Sequence, residues 1–404
     1  MKLFKKGELR VLWPFYLEFL AYTLHFAPAF IVLYFIGLGL TMAQIGILLA
    51  VMPLASLIFE IPTGAIADIY GRKFSVLLGY LLEGAIIFSI FFAKNYSLLL
   101  MLFILEGAAA TLSSGSKEAW IFDLIKKKNK RYMHSYFAKE QFFKSIALIM
   151  SGIIGALLVK SLGLSIIWIF FGASFLVSII ILLFAEEIYK KRNVAAGQSF
   201  NEIFIQSKKS IKYSISHPVL FYLLIAGFFM IISVVFAESL AYIPFLTQLN
   251  FPAYAFGYFW SGMSLVAAIA PLCTKNLMGK KKELNFLIFA TLIGSLILLL
   301  IYFVNSYPIA LFVILTSLFF FTLKYPVERP YFHKFVPSKL RATISSFESM
   351  VFALAGIIAF PIGGYLIDLI GAKNVIILSA LLGIPTIIAY LMVKEKPWLN
   401  TRNK

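Results

Sequence analysis

Glu18, Glu106 and Glu238 stand inside stretches that are otherwise almost wholly apolar, and His25 shares the first of these stretches with Glu18. An ionisable group in hydrocarbon is costly, so its presence there marks a functional candidate. A carboxyl group in a low dielectric favours its neutral form and can exchange a proton near neutral pH. It can hold either a proton or a cation, which is the minimal chemistry for tying the movement of one to the other. These three acids are therefore read as cavity or proton-coupling residues. A lone histidine reads more simply as a hydrogen-bonded core residue, and His25 stands behind them.

The elements that must position these groups follow from composition. The chain has 404 residues, of which 61% are hydrophobic and 13% charged. An ordinary soluble domain is about 45–50% apolar and about 25% charged. A water-soluble globule and a disordered chain are both excluded by that balance. A helix crosses about 30 Å of hydrocarbon with about 20 apolar residues. Twelve such runs can be read, near 13–36, 43–68, 73–93, 97–118, 134–159, 163–185, 218–247, 254–276, 284–304, 307–333, 342–369 and 374–393. They are continuously apolar rather than alternating, which rejects a β-barrel. The basic residues before the first run resemble a signal peptide, but the run is long, carries Glu18 and has no convincing cleavage site, so it reads as a retained span.

Charge placement orients the spans. The formal net charge is +18. Twenty-nine of the 36 Lys+Arg residues fall at the two termini and in the loops near 69–72, 117–133, 186–217, 275–283 and 334–341; the opposite face has only Lys94, Lys160 and Lys373. Positive residues stay in the cytoplasm. The expected location is a cell membrane, crossed many times, with both termini cytoplasmic. The basic excess is thus explained without a nucleic-acid partner.

The polar segment 186–217 divides the spans six and six, predicting bundles at 1–185 and 218–404 joined by a cytoplasmic linker. Weak internal similarity agrees. Arg131-x-x-x-Ser135-x-Phe137 recurs as Arg341-x-x-x-Ser345-x-Phe347, and at the same offset Glu118 meets Glu328. Gly71-Arg72-Lys73 meets Gly279-Lys280-Lys281. Glu60, Glu118, Glu140, Lys144, Lys324, Glu328, Arg329 and Glu348 lie toward the cytoplasmic ends. Ion pairs between bundles, or hydration, fit them better than substrate contact. Glu140 and Lys144, spaced i, i+4, can pair along one helix.

Between the second and third spans runs Gly64-x-x-x-Asp68-x-x-Gly71-Arg72-Lys73. Gly64 permits close approach of helices. Asp68, at a helix C-terminus, faces an unfavourable dipole and needs a partner. Gly71 permits the tight turn, and Arg72 and Lys73 can anchor at lipid headgroups. This pattern resembles the loop signature of the major facilitator superfamily, as do twelve spans, a six-plus-six division and a cytoplasmic central loop. The resemblance covers nearly the whole chain. It implies an all-α membrane protein, two six-helix bundles around a cavity that opens alternately to either side. It also implies that Gly64, Asp68, Gly71, Arg72 and Lys73 form a conformational latch, with Asp68 and Arg72 holding the outward-facing form against the cytoplasmic end of span eleven. The second-half counterpart at Gly279 lacks the acid.

Two further strings, Glu60-x-Pro62-Thr63-Gly64 and Ser114-Gly115-x-x-Glu118-Ala119-Trp120-x-x-Asp123, are similar to those of one branch of the superfamily, related to drug/proton antiporters. Spans one, four and seven line the cavity in the superfamily, which favours Glu18, Glu106 and Glu238. Span three lies outside it, which lowers Glu83. Two marks of proton antiport are missing: span four has no intramembrane Arg, and the Gly-rich, Pro-containing string lies in span eleven, Gly356 to Gly364, instead of span five.

The expected function is secondary active transport of a small molecule. One form is proton-coupled efflux of amphipathic or cationic compounds; the other is facilitated or proton-driven uptake of a nutrient. A receptor or scaffold without transport is the alternative of another class, disfavoured because the longest loop has only about 30 residues. An enzyme is not expected: there is no Walker loop, no nucleophile elbow and no metal-ligand cluster, and Cys273 is the single cysteine. No cofactor or metal is expected, and the chain is expected to be a monomer in the lipid bilayer.

Overall fold

Hydrocarbon offers the backbone no hydrogen-bond partner, so an apolar chain of this kind must satisfy its amides within each segment. The computed structural model describes residues 4–23, 26–188, 211–279, 282–337 and 340–393, and its regular elements are helical throughout. The first half holds α1 (Glu8–Thr23), a 3-10 turn (Ala27–Ala29), α2 (Ile31–Gly37), α3 (Met42–Tyr70), α4 (Arg72–Ile90), α5 (Tyr96–Lys128), α6 (Tyr132–Leu162) and α7 (Ile166–Leu183). The second half holds α8 (Pro218–Val234), a π-helical turn (Val235–Ala241), α9 (Tyr242–Gln248), α10 (Ala255–Met278) and α11 (Glu283–Leu299), which ends in a 3-10 turn (Leu300–Phe303). Then come α12 (Tyr307–Leu323), α13 (Tyr325–Lys334), α14 (Arg341–Ile370), α15 (Ala372–Leu381) and α16 (Gly383–Leu391).

Among the described residues eleven helices are long and apolar enough to cross a membrane, and twelve if Glu8–Ala29 and Ile31–Gly37, bent by 43°, make one span. The sequence reading ends span four at 118, yet α5 continues to Lys128. Its 33 residues reach about 50 Å at 1.5 Å per residue, well beyond the hydrocarbon. Hydropathy stops at the lipid boundary, whereas helical hydrogen bonding does not. Lys126, Lys127 and Lys128 in the last turn suit the negative end of the helix dipole.

The chain forms two compact units. Unit 1 comprises Met1–Leu40, Ile47–Asn193 and Phe251–Leu265; unit 2 comprises Thr41–Gly46, Val194–Asn250 and Val266–Lys404. Lipid is as apolar as leucine, so packing and polar contacts, rather than the hydrophobic effect, hold such helices together. In unit 1 the buried Phe15 meets Trp120 edge-on at 5.0 Å between ring centres, and Phe35 sits between Phe103 and Trp168 at 5.6 and 5.9 Å. A side chain at Gly107 would overlap the Met52 carbonyl, so α5 and α3 touch backbone to backbone there. Unit 2 packs Leu220, Phe286, Leu323, Tyr331 and Tyr390 into one core.

Candidate functional site

The polar centre of unit 1 is built from three helices. Glu18 on α1, Glu83 on α4 and Lys117 on α5 each lie ten or eleven residues from the helix ends at the basic-loop side, Glu8, Arg72 and Lys128. That places all three about 15–17 Å along their helices from those ends. Glu18 is fully buried and pairs with Lys117, whose ammonium lies 2.7 Å from Oε2 and 2.8 Å from Oε1. Tyr80 donates its hydroxyl to Glu18 Oε1 at 2.7 Å and accepts from Lys117 at 3.2 Å. The ammonium also lies 5.2, 5.4 and 5.9 Å from the ring centres of Tyr22, Phe19 and Tyr80. A carboxylate backed by aromatic faces is the arrangement that recognises an alkylammonium ion.

Two more acids adjoin this pair. Glu83, 2% exposed, accepts from the Ser113 hydroxyl at 2.8 Å. Glu106, 5% exposed, encloses its Oε2 without a hydrogen-bond partner and interacts electrostatically with Glu83. Tyr22 feels Glu83, Glu18 and Glu106 together. The superfamily resemblance puts the span of Glu83 outside the cavity. Here Glu83 belongs to the cluster, because Ser113 on α5 turns toward it. Lys117, taken from the sequence as a loop residue that orients the spans, is the cluster's cation.

Nearer the basic-loop end, unit 1 has an open cavity of about 1100 Å³ lined by Asp68, Arg72, Glu118, Asp123, Lys126 and Lys127 among others. Arg72 donates to Asp123 Oδ2 and to the Ala119 carbonyl, both at 2.5 Å. Lys73 donates to the Leu183 and Ala185 carbonyls at the end of α7, both at 2.8 Å, while its backbone amide donates to Glu187 at 2.8 Å. Protein groups thus engage both Arg72 and Lys73. Gly71 makes the α3–α4 turn with φ +102°, as expected. Gly64 does not bring helices together here, since a Cβ built on it would meet nothing within 4 Å.

The remaining sequence candidates separate. Glu60, Glu118 and Lys144 are exposed. No ion pair joins Glu140 to Lys144 among the described residues; the buried Glu8 takes Lys139 at 2.6 Å and accepts from Tyr16 at 2.8 Å. In unit 2, Arg329 pairs with Glu348 at 3.0 Å, between α13 and α14 of the same unit. Lys324, 1% exposed, has an ammonium without a hydrogen-bond partner. Glu328, one turn on, accepts from Tyr390 at 3.0 Å. Glu238 lies in the π turn between α8 and α9, with no hydrogen bond or ion pair among the described residues. Such turns often accompany functional sites. His25 and most of the 186–217 linker lie outside the described residues.

The family model of the Major Facilitator Superfamily matches residues 11–359. The chain belongs to this superfamily. Its members are transporters, and the chain is a multi-pass membrane protein that carries a small molecule. A curated relative, the "Uncharacterized MFS-type transporter YxaM" of Bacillus subtilis (strain 168), is 25% identical over 382 residues, 92% of each chain. Among solved structures, a bacterial homologue of the lysosomal transporter Spinster, inward-facing and occupied, superposes with TM-score 0.76 at 14% identity over 98% of both chains. The nucleoside transporter NupG gives 0.71 at 13% identity over 94% of this chain and 97% of its own. A bacterial homologue of the iron transporter ferroportin, inward-facing, gives 0.73 at 15% identity over 95% of this chain and 98% of its own. These three likenesses show the superfamily fold.

Within that fold, the residues that sequence reasoning missed share one property: their partners are remote in the chain. Lys117 meets an acid 99 residues away, and Glu8 a lysine 131 residues away. Asp123 had a signal, since it ends the Ser114-to-Asp123 string one helical stretch from the basic loop. Lys117 had a weaker one, a cation set among aromatic and small residues with no neighbouring acid to pair on its own face.

Proposed function

We propose that the chain is a secondary active transporter that exports amphipathic or cationic small molecules in exchange for protons. It works by alternating access of two six-helix bundles, 1–185 and 218–404, in a cell membrane with both termini in the cytoplasm. One observation carries the reading: among the described residues, the enclosed cluster of Glu18, Glu83 and Glu106 has a single ammonium, Lys117, among it. At most one carboxylate is matched by that ion. An unmatched charge in an apolar interior costs several kcal/mol, so the others take up protons or a cation. A proton and an organic cation therefore compete for the same carboxyl groups, and the aromatic faces around Lys117 suit an alkylammonium. Glu238 is the corresponding acid of the second half, without a partner among the described residues. Asp68 and Arg72 serve as the latch of the outward-facing form, as the superfamily loop implies.

The test is transport by purified protein in liposomes under an imposed pH gradient, with ethidium and a panel of alkylammonium ions as probes. Gradient-driven movement of a cation is expected. Glu83→Gln, Glu106→Gln and Glu238→Gln should each reduce it at least about tenfold, as loss of a coupling acid does. If the wild-type protein moves none of these ions under the gradient, proton-coupled cation export is abandoned. If it does but the three variants keep the wild-type pH dependence, the acids leave the mechanism.

A further inference from the structure

The loop signature has a twin 300 residues later: Gly64-x-x-x-Asp68-x-x-Gly71-Arg72-Lys73 is matched by Gly364-x-x-x-Asp368-x-x-Gly371-Ala372-Lys373. The two loops join α3 to α4 and α14 to α15, and so lie on opposite faces of a chain whose spans alternate in direction. Their backbones agree point by point. Gly71 has φ +102° and ψ 153°, Gly371 φ +86° and ψ 155°. Gly71 N donates to Ala67 O and Gly371 N to Ile367 O; Ser75 N donates to Gly71 O and Val375 N to Gly371 O. Each lysine caps the end of another helix. Lys73 holds the Leu183 and Ala185 carbonyls after α7, and Lys373 holds the Val304 carbonyl after α11 at 3.0 Å. Inverted three-span repeats nested in each half, together with the repetition of the halves, are a known device of transporter folds, and the two operations combined relate the loop after span two to the loop after span eleven. Only the arginine is missing.

Asp368 has a partner of defined kind. The backbone amides of Met42 and Ala43 donate to its Oδ1 and Oδ2 at 3.0 and 2.8 Å. These are the first two residues of α3. Thr41 and Gln44 complete the terminus reciprocally: Gln44 N donates to Thr41 Oγ1 at 3.2 Å, and Thr41 N to Gln44 Oε1 at 3.0 Å. A carboxylate at a helix N-terminus also meets the positive end of its dipole. Close packing surrounds the contact. A Cβ at Gly364 would overlap the Met42 carbonyl, and one at Gly46 the Phe360 carbonyl. Thr41–Gly46 belongs to unit 2, while the body of α3 from Ile47 onward belongs to unit 1.

We propose that Asp368 is a positioning residue of the transport cycle: it clamps the first turn of α3 within unit 2, at the face opposite the basic loops, and must release it each time that face opens. Any motion that carries the body of α3 with unit 1 draws Met42 and Ala43 away from the carboxylate. The twin loops thus act as two clamps of one design, one at each membrane face. The proposal rests on alternating access but not on protons or on any substrate.

The experiment uses full-length protein in membrane vesicles, with Cys273→Ser as background and a membrane-impermeant maleimide. One reporter is Met42→Cys, whose parent side chain is 6% exposed. The other is Phe137→Cys, whose parent side chain is 42% exposed and lines the cavity at the basic-loop end of unit 1. Asp368→Asn removes the charge and one of the two acceptor oxygens, so it should raise labelling at position 42 about fivefold and lower labelling at position 137. Asp368→Glu should restore most of the wild-type pattern. A rise at both reporters would mean that Asp368 only supports the fold, and no change at either would mean that the cap bears on no motion; both outcomes overturn the proposal. Because no solute is used, a failure of proton-driven transport leaves this measurement standing.

Discussion

The Glu18–Lys117 pair concentrates the cost of keeping charges in this protein. Its side chains are 0% and 13% exposed. Removing one partner of a buried pair leaves the other uncompensated and costs about 3–5 kcal/mol, whereas replacing both with groups of similar shape is often close to neutral. Glu18→Gln and Lys117→Met should each lower the melting temperature in detergent strongly. The double variant should recover most of the loss, with a coupling well above the additive error of about 0.5 kcal/mol. Additive losses would show that the two residues do not stabilise each other. The Lys128–Glu186 pair, at 39% and 64% exposure, gives the contrast. Water and salt screen it, and Lys128→Ala should leave melting unchanged. This difference in burial was invisible in the sequence, where Lys117 and Lys128 both read as members of one basic loop.

At the scale of elements, α8 shows how a span begins at the membrane edge. Pro218 takes the first helical position, where its missing N–H is no loss. His217 caps the end, its Nδ1 accepting from Val219 N at 3.2 Å and Leu220 N at 3.3 Å. Only a neutral imidazole can accept at that nitrogen. Burial pushes the His217 pKa below its usual 6.5, which keeps the ring neutral. A base whose folded pKa lies below its unfolded one contributes its full stability above the unfolded value, and loses it as pH falls from about 6.5 toward the folded value. His217→Asn keeps a capping oxygen without a titration. The wild type should therefore lose stability relative to His217→Asn, by up to about 1 kcal/mol, between pH 7.5 and pH 5.5. A constant difference in melting across that range would remove histidine titration from the cap. The spans themselves were legible, because twenty apolar residues in succession have few other uses. The π turn at Val235–Ala241 was not, because its residues read as ordinary helix. The twin loop is hidden from a half-for-half comparison, which pairs Gly64–Lys73 with the same-face loop at Gly279, where the acid is absent. The acid had been kept on the opposite face, at Asp368.

For the whole molecule, two clamps of one design on opposite faces make a specific balance. If Asp68 favours the form open opposite the basic loops and Asp368 the form open toward them, the resting population reflects the difference between two similar energies. A ligand or mutation moves such an equilibrium only by its differential effect on the two forms. A carboxylate charge at a helix terminus is worth up to about 1 kcal/mol, which is roughly fivefold in population. Asp68→Asn and Asp368→Asn, which remove that charge, should then displace the ratio of labelling at positions 42 and 137 in opposite directions, each about fivefold. The double variant should return to within about twofold of the wild type, since the two losses cancel in the ratio. Arg72 makes the clamps unequal. It fixes the α3–α4 loop to Asp123 on α5, and Ala372 leaves the other loop without such a tie. Asp123→Asn should therefore act as a weak Asp68→Asn, moving the ratio in the same direction and less far. Displacement of the ratio in the same direction by Asp68→Asn and Asp368→Asn would break the twin relationship, whatever the protein carries.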